Sequence, residues 1–124
     1  MKKILLFLML FVTICSFISI SFDDVIKAMK AGDAEQISKY LDNTVEITLP
    51  EKSNSYSKSQ AGLVLRDFFT ANPVKDFEIL HKSDNSGSQY CIGNLKTANG
   101  IFRTTIFMKQ KGDKELLQEL RFER

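Results

Sequence analysis

Few residues in this chain are of the types that covalent or acid–base chemistry requires. His81 is the only histidine. A lone imidazole can act as a general base if a carboxylate orients it and a cavity shields it. It shares a strand-like alternation with Phe77 and Ile79, and no Asp or Glu falls obviously beside it. One residue of slippage in the neighbouring turn would swing His81 from a pocket to the outer face. Cys91 is the one cysteine outside the apolar leader, so no disulfide forms within the body. Without a basic neighbour in the pattern, it reads as a small buried hydrophobe. Tyr40 and Tyr56 could bring hydroxyls to a pocket mouth, but amphipathic packing accounts for both. Asp84-Asn85-Ser86-Gly87 lacks the downstream glutamate of a calcium loop. There is no Gly-rich phosphate loop and no strand-to-helix serine turn, and a single histidine argues against an imidazole metal site. No residue pattern in the sequence marks a catalytic residue, a metal ligand or a cofactor.

Charge narrows the partners. The chain has 124 residues, with 17 Lys plus Arg against 15 Asp plus Glu. Removing the first 21 residues takes away Lys2 and Lys3 and no acid, which leaves the body neutral at 15 of each sign. A neutral body does not suit a nucleic-acid binder. The first stretch has three parts: Met1-Lys2-Lys3, the apolar run Ile4 to Val12, and a mixed segment ending in Ser19-Ile20-Ser21. That is the pattern of a secretory signal peptide, with cleavage between Ser21 and Phe22. Two alternatives stay open. Ile4 to Ile20 is 17 residues, the lower edge of a membrane anchor. Cys15 is a candidate for lipidation, although Ile14 before it is bulky. All three send the body out of the cytoplasm, periplasmic or secreted, and any membrane contact is through the leader alone.

The body, residues 22–124, reads as one domain. Asp23-Asp24 opens a short helix with Val25, Ile26 and Met29 on one face, stopped at Gly32. Asp33 and Gln36 cap a second helix, broken at Asp42-Asn43. Thr44 to Leu49 alternates as a half-buried strand, and Pro50 to Tyr56 reads as a loop. Ser57 and Gln60 form a capping box ahead of a helix whose stripe is Ala61, Val64, Leu65, Phe68 and Phe69. Asn72-Pro73 ends it. The period then changes to two, giving strands over Val74 to Lys82, Gln89 to Ala98, Ile101 to Lys109 and Glu115 to Glu123. Asn99-Gly100 is a hairpin signal. The expected class is α+β: three helices on a curved antiparallel sheet, in the order α-α-β-α-β-β-β-β.

A two-residue turn at Asn99-Gly100 pairs Ala98 with Ile101 and sorts the side chains by face. Cys91, Leu95, Thr97, Phe102, Thr104 and Ile106 share the more apolar face, which the helices should cover. Alternation in the last strand adds Leu116, Gln118, Leu120 and Phe122 to that face. Together with His81, the residues Cys91, Leu95, Phe102, Thr104, Ile106 and Gln118 are the pocket candidates. The opposite face carries Tyr90, Ile92, Ile101 and Phe107 among Lys96, Arg103, Glu119 and Arg121. An open sheet face with several large apolar groups suits a partner, and a homodimer is the simplest one.

The element order resembles the nuclear transport factor 2-like superfamily, the cone-shaped fold also found in ketosteroid isomerase and scytalone dehydratase. More narrowly, the chain is similar to a family of short exported bacterial proteins known only as a domain of unknown function. The segments that carry this are Ala28-Met29-Lys30-Ala31-Gly32-Asp33-Ala34, Val45-Glu46-Ile47-Thr48-Leu49, Tyr56-Ser57-Lys58-Ser59-Gln60-Ala61 and Asp67-Phe68-Phe69. Asn72-Pro73, Thr97-Ala98-Asn99-Gly100 with Phe102-Arg103, and Gln118-Glu119-Leu120-Arg121 complete the set. These are caps, turns and core positions, so the resemblance implies a fold, export and a pocket between helices and sheet, but no reaction. Three readings follow: a binder of a small apolar ligand held in the cone, an interaction module using the outer sheet face, and an isomerase or dehydratase built on His81.

Overall fold

The computed structural model describes residues 20–124. The proposed leader boundaries before Ile20, and Cys15, lie outside the described residues. Three helices, α1 (Ile20–Ala31), α2 (Ala34–Ser38) and α3 (Lys58–Ala71), accompany six strands. The strands are β1 (Leu41–Thr48), β2 (Ser53–Ser57), β3 (Val74–Asn85), β4 (Ser88–Thr97), β5 (Gly100–Lys111) and β6 (Lys114–Glu123). They form one sheet in the order β2-β1-β6-β5-β4-β3. No helix among the described residues is long and apolar enough to cross a membrane.

The caps act as their residue types require. Asp33 accepts from the Gln36 backbone N–H at 3.1 Å and starts α2. Ser57 and Gln60 close the reciprocal capping box of α3. Asn72 caps the other end of α3, its backbone N–H donating to the Phe68 carbonyl at 2.9 Å. The buried stripe of α3 is Ala61, Leu65, Phe68 and Phe69. It packs with Phe22, Val25 and Met29 of α1 on the concave sheet face. The Phe68 ring lies 4.3 Å from Phe122 and 5.2 Å from Phe102, centroid to centroid, which ties α3 to β5 and β6.

The sheet departs from the sequence reading in three ways. It is mixed, because β1 runs parallel to β6. Asp42-Asn43 does not break a helix into a loop but lies within β1, and the polar segment Ser53–Ser57 is an edge strand paired with β1. Backbone pairing to an open edge outweighs the weak strand propensity of Ser-Asn-Ser. The β4–β5 hairpin is also shifted. Thr97 faces Gly100, and Lys96 rather than Ala98 faces Ile101. Among the described residues none other than glycine takes positive φ, so Asn99 does not adopt the left-handed turn that Asn-Gly favours. Its side chain instead donates to the Ala71 carbonyl at 2.7 Å, and Gly100 alone turns with φ +107°. The shift is two residues, an even number, so every side chain keeps its expected face.

Candidate functional site

Six of the seven pocket candidates lie on the β4, β5 and β6 strands, and there the concave face is solid. Cys91, Leu95, Thr104 and Ile106 are wholly inaccessible and Phe102 is 1% exposed. A void large enough for water would leave exposed surface on its lining, so these side chains enclose none. Thr104 donates to the Phe102 carbonyl at 3.1 Å, and Thr97 donates to the Gly100 carbonyl at 2.9 Å. Both buried hydroxyls are satisfied within the chain. Burial pushes the Cys91 thiol up to about 11, against a weaker lowering by the Lys82 charge. At neutral pH it is a thiol, not a nucleophile.

Two candidates are corrected by bulges. Ile79 faces Gly93, but His81 faces Ile92, so Leu80 is an extra residue in β3. The bulge turns His81 onto the outer face, exposed, beside half-buried Ile92. The isomerase reading thereby loses its base, since no shielded cavity surrounds the imidazole. In β6, Leu117 faces Met108 and Glu119 faces Phe107, which makes Gln118 the unpaired residue. Leu117 is therefore buried, while Leu116 and Gln118 are only partly so. Gln118 donates at 3.1 Å to Asp42, a buried carboxylate that also holds the Lys111 ammonium at 2.8 Å. The Lys111 bond, then the Asn43 N–H and Gln118 bonds, hold Asp42 below the usual carboxylate range against the opposing effect of burial.

What remains open is at the surface. A cleft of about 350 Å³ lies between the β1–β2 turn and α3, lined by Leu49, Val64, Phe68, Phe102 and Arg124. Arg124 sits over the Phe102 ring at 4.6 Å and donates to the Asn99 carbonyl at 3.3 Å. The outer sheet face is open as well. Register places Glu46, Glu119, Phe107, Tyr90 and Ser83 in one row across the sheet, and Thr48, Arg121, Thr105, Ile92 and His81 in the next. All four interface candidates stand on this face. Tyr90, Ile92 and Phe107 are half-buried, and Ile101 is 54% exposed. Lys96 pairs with Glu78 at 3.2 Å and Arg121 with Glu123 at 3.3 Å. Arg103, Glu46 and Glu119 have no ion-pair partner among the described residues.

Comparison with known proteins now fits this geometry. The family model described as a domain of unknown function, DUF4783, matches residues 22–123. The chain belongs to the DUF4783 family. A DUF4783 protein from Bacteroides ovatus is similar at 32% identity and TM-score 0.77, over 82% of this chain and 92% of that one. One from Bacteroides uniformis is similar at 30% identity and TM-score 0.79, over 82% and 94%. A nuclear transport factor 2-like protein of unknown function from Cytophaga hutchinsonii shares only 8% identity at TM-score 0.59, over 82% and 84%, which shows the fold alone. No curated protein matches the chain. The DUF4783 domain is thus a nuclear transport factor 2-like α+β cone, as its element order implied. Within it, sequence reading missed the Asp42–Lys111–Gln118 cluster. The one available signal was an acidic residue leading into an alternating strand, and it was read as a helix stop.

Proposed function

We propose that this DUF4783 protein is an exported, non-catalytic interaction module whose working surface is the outer face of its sheet and whose partner there is a second copy of the chain. The observation that carries this reading is the contrast between the two faces. The concave face is filled by its own side chains, whereas Tyr90, Ile92 and Phe107, half-buried, and Ile101, exposed, stand on the convex face outside the core of the described residues. Unpaired charges of both signs on that face, Arg103 against Glu46 and Glu119, favour a self-complementary partner over a uniformly charged one. Export rests on the leader pattern. It is supported by a family match that begins at Phe22, the residue expected to open the mature chain.

A second reading is favoured by one observation. The cleft beside α3 reaches two core rings, Phe68 and Phe102, so a small apolar ligand could seat there under the Arg124 guanidinium. Native mass spectrometry of protein recovered from the periplasm of an exporting host tests both readings at once. The expected spectrum is a dimer of adduct-free chains that becomes monomeric in Phe107→Glu, with the melting temperature of the monomer fold retained. A monomer carrying a discrete adduct that vanishes on denaturation overturns the dimer and favours the cleft. A dimer indifferent to Phe107→Glu moves the interface off this face.

A further inference from the structure

Where the β3–β4 and β5–β6 turns meet the start of α1, they enclose a polar cavity of about 570 Å³. The two turns are tied together, since the Gln110 N–H donates to the Gly87 carbonyl at 2.8 Å. Ile20 and Ser21 form one wall, and Asp84, Gln89, Asp113 and Glu115 line the rest. Two acceptors here are unsatisfied among the described residues: Gln89 Oε1 and Glu115 Oε2, both buried. Gln89 is only 3% exposed, and its amide Nε2 is already committed to Asp84 Oδ1 at 3.2 Å. Buried acceptors without donors are rare and costly, so this wall suits a donor that the described residues do not supply. The lining is acidic, so the donor should also be a cation.

Resting on the export reading above, we infer that the α-ammonium of the mature chain, created at Phe22 when the leader is cut after Ser21, takes the place of the wall that Ile20 and Ser21 form in this cavity. The Phe22 side chain is fully buried in the core, with Lys82 Nζ 5.2 Å from its ring centroid, so the position of its nitrogen is fixed beside Ser21. An ammonium has three donors, enough for Gln89 Oε1 and Glu115 Oε2 together. At a helix N-terminus, a positive charge is opposed by the helix dipole. The acids around it offset that: Asp84, Asp113 and Glu115 from the turns, and Asp23 from the first turn of α1 itself. The cations on the surrounding elements are Lys82, held by Asp23 at 3.0 Å, Lys111, held by Asp42 at 2.8 Å, and Lys109 and Lys114 beside the β5–β6 turn. A divalent metal is the weaker occupant, because the described residues bring no three His, Cys, Asp or Glu groups close enough to hold one.

The test uses protein exported with its own leader. Intact mass establishes the N-terminus, and the rate of acylation of the Phe22 amine is followed against pH by peptide mass spectrometry. The expected midpoint lies about one unit above the ordinary α-amine value of about 8, so the folded chain acylates about tenfold more slowly at pH 7 than the unfolded one. Glu115→Gln returns the midpoint toward the ordinary value. Asp113→Asn, in an exposed turn that should fold unperturbed, moves it the same way by less. An ordinary midpoint that neither variant changes overturns the cavity's role and leaves export standing. A mass that retains the leader, or begins elsewhere, overturns both.

Discussion

At the scale of single residues, Asp42 concentrates the most consequence in the fewest atoms. Its side chain is 7% exposed and binds Lys111, Gln118 and the Asn43 N–H. The Lys111 side chain is 55% exposed, so solvent screens part of the pair. The folded carboxyl is held below its ordinary value. Its contribution to stability is therefore present above about pH 4 and is lost as pH falls through the lowered folded value. Asp42→Asn should cost roughly 1–2 kcal/mol in urea unfolding at pH 7. The gap from the wild type should narrow below pH 4, where the carboxyl of the unfolded wild type takes up its proton before the folded one does. A gap that stays constant to pH 2 would show that the charge contributes nothing. No motif in the sequence announced this cluster, because its members come from β1, the end of β5 and β6 and meet beside the β1–β6 register shift between Leu41 and Glu46 and the bulge at Gln118. The same is true of His81 and Gln118. Their types were legible, but which face each took depended on a single extra residue that period-two alternation does not encode.

At the scale of elements, the caps and the faces were legible because they rest on local chemistry. Ser57 with Gln60, Asp33 with the Gln36 N–H, and Asn72 before Pro73 bound their helices as their side chains dictate. The buried pattern of β4 alternates without fault from Gln89 to Thr97, which is why Cys91, Leu95 and Thr97 fell on the expected face. The parallel β1–β6 pairing was not legible, since it joins segments about 70 residues apart through contacts that neither segment encodes alone. Nor was the close approach of β3 to β4, for which Gly93 was the hidden requirement. A Cβ at Gly93 would sit 2.5 Å from a Phe77 ring carbon and 2.6 Å from the Glu78 carbonyl oxygen. The backbone oxygen cannot swing aside as a flexible side chain could. Gly93→Ala should therefore destabilise the fold by about 2–3 kcal/mol, measured by denaturant unfolding, with faster amide exchange along β3. Wild-type stability would mean that β3 and β4 part there without cost.

At the scale of the whole molecule, the curvature of the sheet divides labour between its two sides. The concave side spends its apolar residues on the three helices, and the convex side is left with large apolar groups ringed by charge. A two-fold axis lying across the strands at Thr105 would bring the row of Phe107 and Glu119 over the row of Arg103 in a second copy. The two rows are four residues apart on β5, about 13 Å, which such an axis halves symmetrically. Arg103 of each chain then meets Glu119 of the other, and two charges without ion-pair partners among the described residues are answered twice. Surface ion pairs contribute little singly, but charges of like sign placed opposite one another across an apolar patch oppose association. Arg103→Glu should accordingly weaken the dimer by about tenfold or more in sedimentation equilibrium, and Glu119→Arg should do the same. The double exchange, Arg103→Glu with Glu119→Arg, should recover most of the loss, because each new charge again faces its opposite. If the double variant is as weak as the sum of the singles, the two residues do not meet across the interface, and a different two-fold arrangement of the same face must hold the pair together.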